Sequence, residues 1–336
     1  MATVTGVSVA DTPGPDDRSP LQGDRAGTGR LGDRIFGGLA KGSGALIIAL
    51  VTLIGLFLLW QAIPAIADDK VNFLFSREWD VNNADNLRFG IVEMLWTTVV
   101  ASTIAMLIAV PVGVCVALFI TQYAPRWLSR PAASLVDLLA AVPSIIYGFW
   151  GIKTFGPVYQ PFQDFLRDKL GWFPLFSKTT VGGTGTILFI GIVLAIMILP
   201  IVTALSREVF AQTPVAHKEG ALALGATKWE MIRTAVLPFG KPGVISAAML
   251  ALGRALGETI AVTIIVSALA PGTPWSWSLL NGGETFASRI ANNAAEFDSP
   301  SKTGAFIAAG LVLFILTFVV NAIARIVIER RKAFAE

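Results

Sequence analysis

Six apolar stretches divide this 336-residue chain, at 43–66, 93–122, 131–154, 184–210, 243–270 and 303–328. Each reaches or exceeds the ~20 residues a helix needs to cross the hydrocarbon of a bilayer. A chain that leaves water cannot leave its backbone N–H and C=O groups unbonded, so stretches of this length and polarity are restricted to helices. Composition agrees: 54% of residues are hydrophobic and 15% charged, where a soluble domain carries about 25% charged. The expected fold is all-α, a polytopic membrane protein with six transmembrane helices surrounded by lipid. No basic run with interleaved aromatics occurs, which argues against nucleic acid as a partner. Cys115 is the sole cysteine and His217 the sole histidine, so a cysteine- or histidine-based metal site has no ligand set.

Residues 1–42 are rich in Gly, Asp, Pro, Arg and Thr without apolar periodicity and read as a disordered tail. The membrane domain is 43–336. Lys and Arg orient it. The N-terminal tail, the 122–131 and 207–241 loops and the C-terminus hold sixteen basic residues, and the other side holds nine. That bias predicts both termini in the cytoplasm. Pro111, Pro143 and Pro200 fall inside spans and read as packing kinks, with gating hinges as the other reading. Trp79, Trp172, Trp275 and Trp277 in the outward loops read as an interfacial belt.

The loop over 211–241 is too polar to span and too regular to idle. Its centre, TPVAHKEGALALGATKWEMIRTAVLP, covers 213–238. Thr213 before Pro214 reads as an N-cap with a first-turn proline. Gly225 suits a C-terminal cap, and Thr227 with Glu230 forms a capping box that opens a second helix. Pro238 reads as the end of that helix. The result is helix, glycine elbow, helix: either a surface hairpin or a rigid element able to pass force between chains.

The fifth stretch carries Arg254 and Glu258. On one continuous helix they would share a face about 6 Å apart, and a charge at bilayer depth costs several kcal/mol unless it faces protein or water. One reading is an ion pair that fixes helix register. The other is a step on an anion path, because a guanidinium offers five donors in a planar fork. A carboxylate beside it could accept the proton of a protonated oxyanion.

Two sets of residues carry a resemblance. Glu219-Gly220-Ala221, then Gly225, then Leu237-Pro238 resembles the EAA loop of bacterial ABC importer permeases, with Gly220 and Ala235 as departures. Val142-Pro143-Ser144-Ile-Ile-Tyr147-Gly148, Gly253-Arg254-Ala-Leu-Gly-Glu258-Thr259 and Phe73-Leu-Phe-Ser-Arg-Glu-Trp79-Asp80 resemble PstC-type phosphate permeases, a likeness that runs over 43–336. The resemblance implies the type I ABC importer permease fold in the bacterial inner membrane. It implies Arg254 and Glu258 in phosphate transport, with Thr259, Ser144 and Tyr147 as pathway-lining candidates. Glu219, Gly220, Ala221 and Gly225 would couple to an ATPase. It also implies partners: a homologous second permease subunit, two ATP-binding subunits and an extracytoplasmic phosphate-binding protein. No G-x-x-x-x-G-K-[ST] loop occurs in the chain. ATP and Mg are therefore expected on the partner, no cofactor on this chain, and no enzymatic activity here. A permease for another oxyanion or small solute, and a secondary carrier, stand as competing expectations.

Overall fold

The computed structural model describes residues 29–83, 86–177, 183–270 and 272–332. In chain order the elements are α1 (Gly29–Asp68), a short antiparallel ribbon of β1 (Trp79–Asp80) and β2 (Arg88–Phe89), α2 (Val92–Leu118), α3 (Arg126–Ala140), α4 (Ser144–Trp150), α5 (Gly156–Leu170), α6 (Ile187–Ala211), α7 (Val215–Ala223), α8 (Lys228–Met231), α9 (Leu237–Leu256), α10 (Ile260–Ile265), α11 (Phe286–Asn292) and α12 (Pro300–Lys332). The chain divides into one unit up to Ile54 and a second from Gly55. Of the first unit, residues 29–54 are helical, so the helix begins inside the segment 1–42 expected to be a disordered tail. Residues 1–28 of that expected tail lie outside the described residues.

The second unit is built on α2 against α6. Ala101, Ala105 and Ala109 of α2 are fully buried, one helical turn apart, against Val193, Met197, Ile198 and Val202 of α6. Small side chains at that spacing let two helix backbones approach closely, and dispersion between them replaces the hydrophobic drive that lipid does not supply. Glycines complete the fit. A Cβ on Gly191 would lie 2.8 Å from Ile104, and one on Gly113 would lie 2.9 Å from Val202.

Among the described residues, five helices are long and apolar enough to span, or six when a bent pair counts as one. That pair is the expected third span. It is broken at Ala141–Pro143, where α3 meets the helix running over 144–170 at 92°. Pro143 has no N–H to give and pushes Val142 out of the helical region. Pro143 is thus a break, whereas Pro111 and Pro200 sit inside continuous α2 and α6. Tyr147 Oη bridges the bend, donating to the Leu139 carbonyl at 2.9 Å. At the other end of the buried core, Arg207 of α6 donates to both carboxylate oxygens of Asp137 on α3 at 3.1 Å.

The fifth span also departs from the expected 243–270. Helix runs from Lys228 to Leu256, straight through Pro238. A π-helical turn at Ile232–Val236 precedes the proline, with the Leu237 N–H bonded to the Ile232 carbonyl. The extra residue in that turn accommodates the bond a proline cannot make. Helix then stops at Gly257, and α10 is followed by extended chain. That chain straps the far ends of α2 and α6. Carbonyls of Asn281 and Leu279 accept the Ile187 and Leu188 N–H groups at 2.9 Å, and Thr98 Oγ1 accepts from the Phe286 N–H at 3.2 Å. The outward tryptophans are mostly packed into this end. Trp79 meets Phe306 at a tilt with centroids 5.3 Å apart and Trp277 meets Trp96 edge to face at 4.8 Å, although Trp277 stays 53% and Trp172 79% exposed.

Gly191→Val should overpack the α2–α6 seam and destabilise the protein by about 1–3 kcal/mol. Thermal unfolding in detergent is expected to show a lower midpoint. An unchanged midpoint would mean that the seam tolerates expansion.

Candidate functional site

The 211–241 loop forms as helix, elbow, helix. Gly225 has φ +85°, a left-handed conformation open to glycine at little cost. The Ala226 N–H reaches the Ala221 carbonyl at 3.2 Å and the Gly225 N–H reaches Leu222 at 2.9 Å, the paired bonds of a Schellman cap. Thr227 and Glu230 exchange both bonds of the capping box, the Thr227 N–H donating to the Glu230 carboxylate at 2.8 Å and the Glu230 N–H to Thr227 Oγ1 at 3.3 Å. Thr213 does not act as the expected cap. Pro214 occupies that position, and the Thr213 hydroxyl is buried without a partner among the described residues. Glu219 and Gly220 are exposed and Ala221 half-buried. Leu224 is 91% and Trp229 56% exposed, an apolar face at the elbow that water does not favour.

Pro238, expected to close the second helix, instead lies within it. The capped end at Thr227 and the residue Arg254 therefore sit on one helix. Its length over Lys228–Leu256 is 29 residues, or about 43 Å at 1.5 Å per residue.

Arg254 is exposed and opens into a groove of about 650 Å³ lined also by Ile201, Ser246, Met249, Leu250 and Asn321. Glu258 is not its partner. The helix ends between them at Leu256, and among the described residues no ion pair within 4.0 Å joins the two. Glu258 is 8% exposed and its Oε1 accepts the Ala261 N–H at 3.1 Å. It satisfies one of the first N–H groups of α10, which have no partner in the helix. The pairing expected from a spacing of four fails because Gly257 ends the helix that the spacing presumed.

The structure does bring the two PstC-like membrane motifs together. A Cβ on Gly148 would lie 3.1 Å from Ala261 Cα, so glycine there lets α4 lie directly on α10. Tyr147 has Arg254 as its charged neighbour, but its hydroxyl is used on Leu139. Thr259 donates to the Gly257 carbonyl at 3.1 Å and shapes the same break. Ser144 is half-buried at the first turn of α4. Sequence reading missed a second charged group, Arg77, Glu93, Glu284 and Arg289, at the far end of α2. Its members come from three separate segments of the chain.

Glu258→Ala should lower thermal stability by about 1 kcal/mol through the lost cap, and Glu258→Gln by less, since an amide oxygen can still accept from Ala261. Equal losses would argue for a charge partner instead. Gly225→Val forces a β-branched residue into a left-handed conformation at roughly 1–2 kcal/mol. It should cut transport more than it cuts chain abundance on a blot.

Comparison with known proteins gives one consistent result. The family described as "Binding-protein-dependent transport system inner membrane component" matches residues 109–333. The "Phosphate transport system permease protein PstC 2" of Mycobacterium tuberculosis is 52% identical over 299 residues, 88% of this chain and 91% of that protein. The "Phosphate transport system permease protein PstC" of Mycobacterium leprae is 52% identical over 295 residues, 87% and 92% of the two chains. The protein of that name from Xylella fastidiosa strain 9a5c is 43% identical over 288 residues, 84% and 86%. Among solved structures, a chain of a bacterial ABC transporter involved in import of the acidic polysaccharide alginate aligns at TM-score 0.50 and 14% identity, covering 88% of this chain and 99% of that one, a likeness of fold alone. The chain therefore belongs to the binding-protein-dependent transport system inner membrane components, and within them to the PstC-type permeases.

Proposed function

We propose that this permease conducts phosphate as one half of an ATP-driven importer, with both termini in the cytoplasm. A homologous second permease would close the groove at Arg254, and of two ATP-binding subunits one would dock on the exposed apolar elbow around Gly225. An extracytoplasmic phosphate-binding protein would load the opposite face. ATP and Mg belong to the docked subunits in this reading, and this chain performs no chemistry.

The observation that carries the reading is Arg254: an exposed, permanently charged fork in a groove of about 650 Å³, on the same helix as the elbow. A guanidinium at bilayer depth is costly unless it faces water or a counter-charge. Glu258 does not neutralise it, which leaves the fork available to a tetrahedral oxyanion. One arginine, not a cluster, holds the anion weakly enough for release. When the ATP-binding subunits close, the rod from Lys228 to Leu256 moves as a unit. The breaks at Ala141–Pro143 and Gly257–Thr259 let α4 and α10 shift against it. Glu258 keeps the first turn of α10 bonded during that shift.

Labelled-phosphate uptake tests this in cells lacking the chain and complemented with wild type or Arg254→Gln. Wild type should restore uptake that excess phosphate, but not sulfate, competes. Arg254→Gln at equal abundance should lose most of it. Normal uptake by the variant would remove Arg254 from the path, and equal competition by sulfate would replace phosphate with a broader oxyanion substrate.

A further inference from the structure

A second polar cleft lies at the end of α2 opposite the coupling elbow. The elbow side of α2 packs Leu118 against Phe210 and Met231, and the opposite end packs Met94 against Phe286. Around Met94 stand Arg77 from the loop after α1, Glu93 from the first turn of α2, and Arg289 from α11. They line a cleft of about 440 Å³ that is open at its mouth. Two water-sized pockets of about 20 and 10 Å³ extend from it and share Arg77 and Glu93.

The guanidiniums are held on aromatic faces. Arg77 lies 5.4 Å from the Trp275 ring centroid and Arg289 lies 5.2 Å from that of Trp79. Such stacking fixes the plane of the fork and leaves its edge donors free. Arg289 spends one edge on Glu284, which also accepts from Asn292 at 3.0 Å. Among the described residues, Arg77 has no carboxylate within 4.0 Å. Three further buried donors at this end have no partner among the described residues: Arg289 Nε, Trp96 Nε1 and Thr97 Oγ1. Unmade bonds of this kind are expensive, and these three donors ask for an acceptor-rich ligand or water. Glu93 is the exception. It faces Arg289, Arg77 and the like charge of Glu284, and among the described residues its carboxylate accepts no hydrogen bond.

We infer that this cleft is an outer staging site for a protonated oxyanion, hydrogen phosphate above sulfate, reached before Arg254. This rests on the phosphate reading and adds the residues that discriminate. Arg77 and Arg289 donate to the unprotonated oxygens, and the P–O–H group donates to Glu93. Fully ionised sulfate has no proton to give and meets Glu93 as a like charge. Asp80 and Glu78 also line the cleft, Glu78 paired with Arg88 at 2.9 Å, and these carboxylates keep anion binding weak and transit possible. Glu258, the carboxylate first suited to this task, is occupied as the cap of α10.

The test uses tryptophan emission of the purified membrane complex in nanodiscs, without its soluble binding protein, titrated with inorganic phosphate or sulfate. Wild type should give a saturable phosphate response that disappears in Trp275→Phe and in Arg77→Gln and persists in Arg254→Gln. Arg77 is exposed, and an unchanged melting midpoint for its variant confirms the fold. Sulfate should need at least about tenfold more for half-saturation, because its binding leaves Glu93 without a donor, and Glu93→Gln should narrow that gap to within about twofold. No saturable response in wild type, a response that survives Arg77→Gln, or equal affinity for sulfate and phosphate in wild type would each overturn the inference. The two readings fail separately. A responsive cleft with Arg254-independent uptake removes only Arg254, and a silent cleft with Arg254-dependent uptake removes only the staging site.

Discussion

A backbone at bilayer depth has no water to bond, and the site of this permease depends on how that constraint is met where helices break. Spans three and five both stop in the middle. At the first break the Tyr147 hydroxyl bonds the Leu139 carbonyl, and at the second the Glu258 carboxylate takes the Ala261 N–H. Side chains thus replace ladder bonds at the two places where the ladder is cut. Gly148 then allows α4 to lie on α10, so each break supports the other. Without those bonds, the peptide groups exposed at the two breaks would favour straight helices, and α4 would no longer lie on α10.

The breaks lie on one side of a rigid element. From Lys228 to Leu256 the helix is continuous, including a π turn that accommodates Pro238. Its near end is fixed by a capping box and a left-handed glycine, both local and cheap to form. Its far end carries Arg254. In the proposed transport cycle the continuous helix transmits and the breaks accommodate.

Charge follows the same division. Arg254 faces an open groove alone, while Glu258 is buried and committed to the backbone. At the other end of α2 the arginines are stacked on tryptophans, and Glu93 keeps its lone pairs. In the proposed path, one weak site in the middle and a mouth that mixes guanidiniums with carboxylates would avoid holding an anion too long. Of the tryptophans expected to form a lipid belt, Trp79 and Trp275 also lie against guanidiniums.

Much of the chain was legible from sequence because the physics is short-range. Hydropathy over 20 or so residues located the spans, and Thr227, Glu230 and Gly225 announced their caps within four residues of where the bonds form. The family motifs pointed to Arg254 and to both segments that meet at α4 and α10. Contacts distant in sequence were not legible. The spacing of Arg254 and Glu258 promised a pair, and Gly257 ended the helix before one could form. Thr213 looked like a cap and Pro238 like a stop, yet the cap falls at Pro214 and the helix passes through Pro238, because a π turn upstream absorbs the missing bond. Arg77, Glu93 and Arg289 come from segments up to about two hundred residues apart, and no periodicity links them. By itself the sequence determined which segments enter the membrane and how the coupling loop is capped, since both rest on local free energies. Only the tertiary structure decided where spans three and five break, which partner Glu258 serves and which charges share a cleft, because those depend on what packs against each segment.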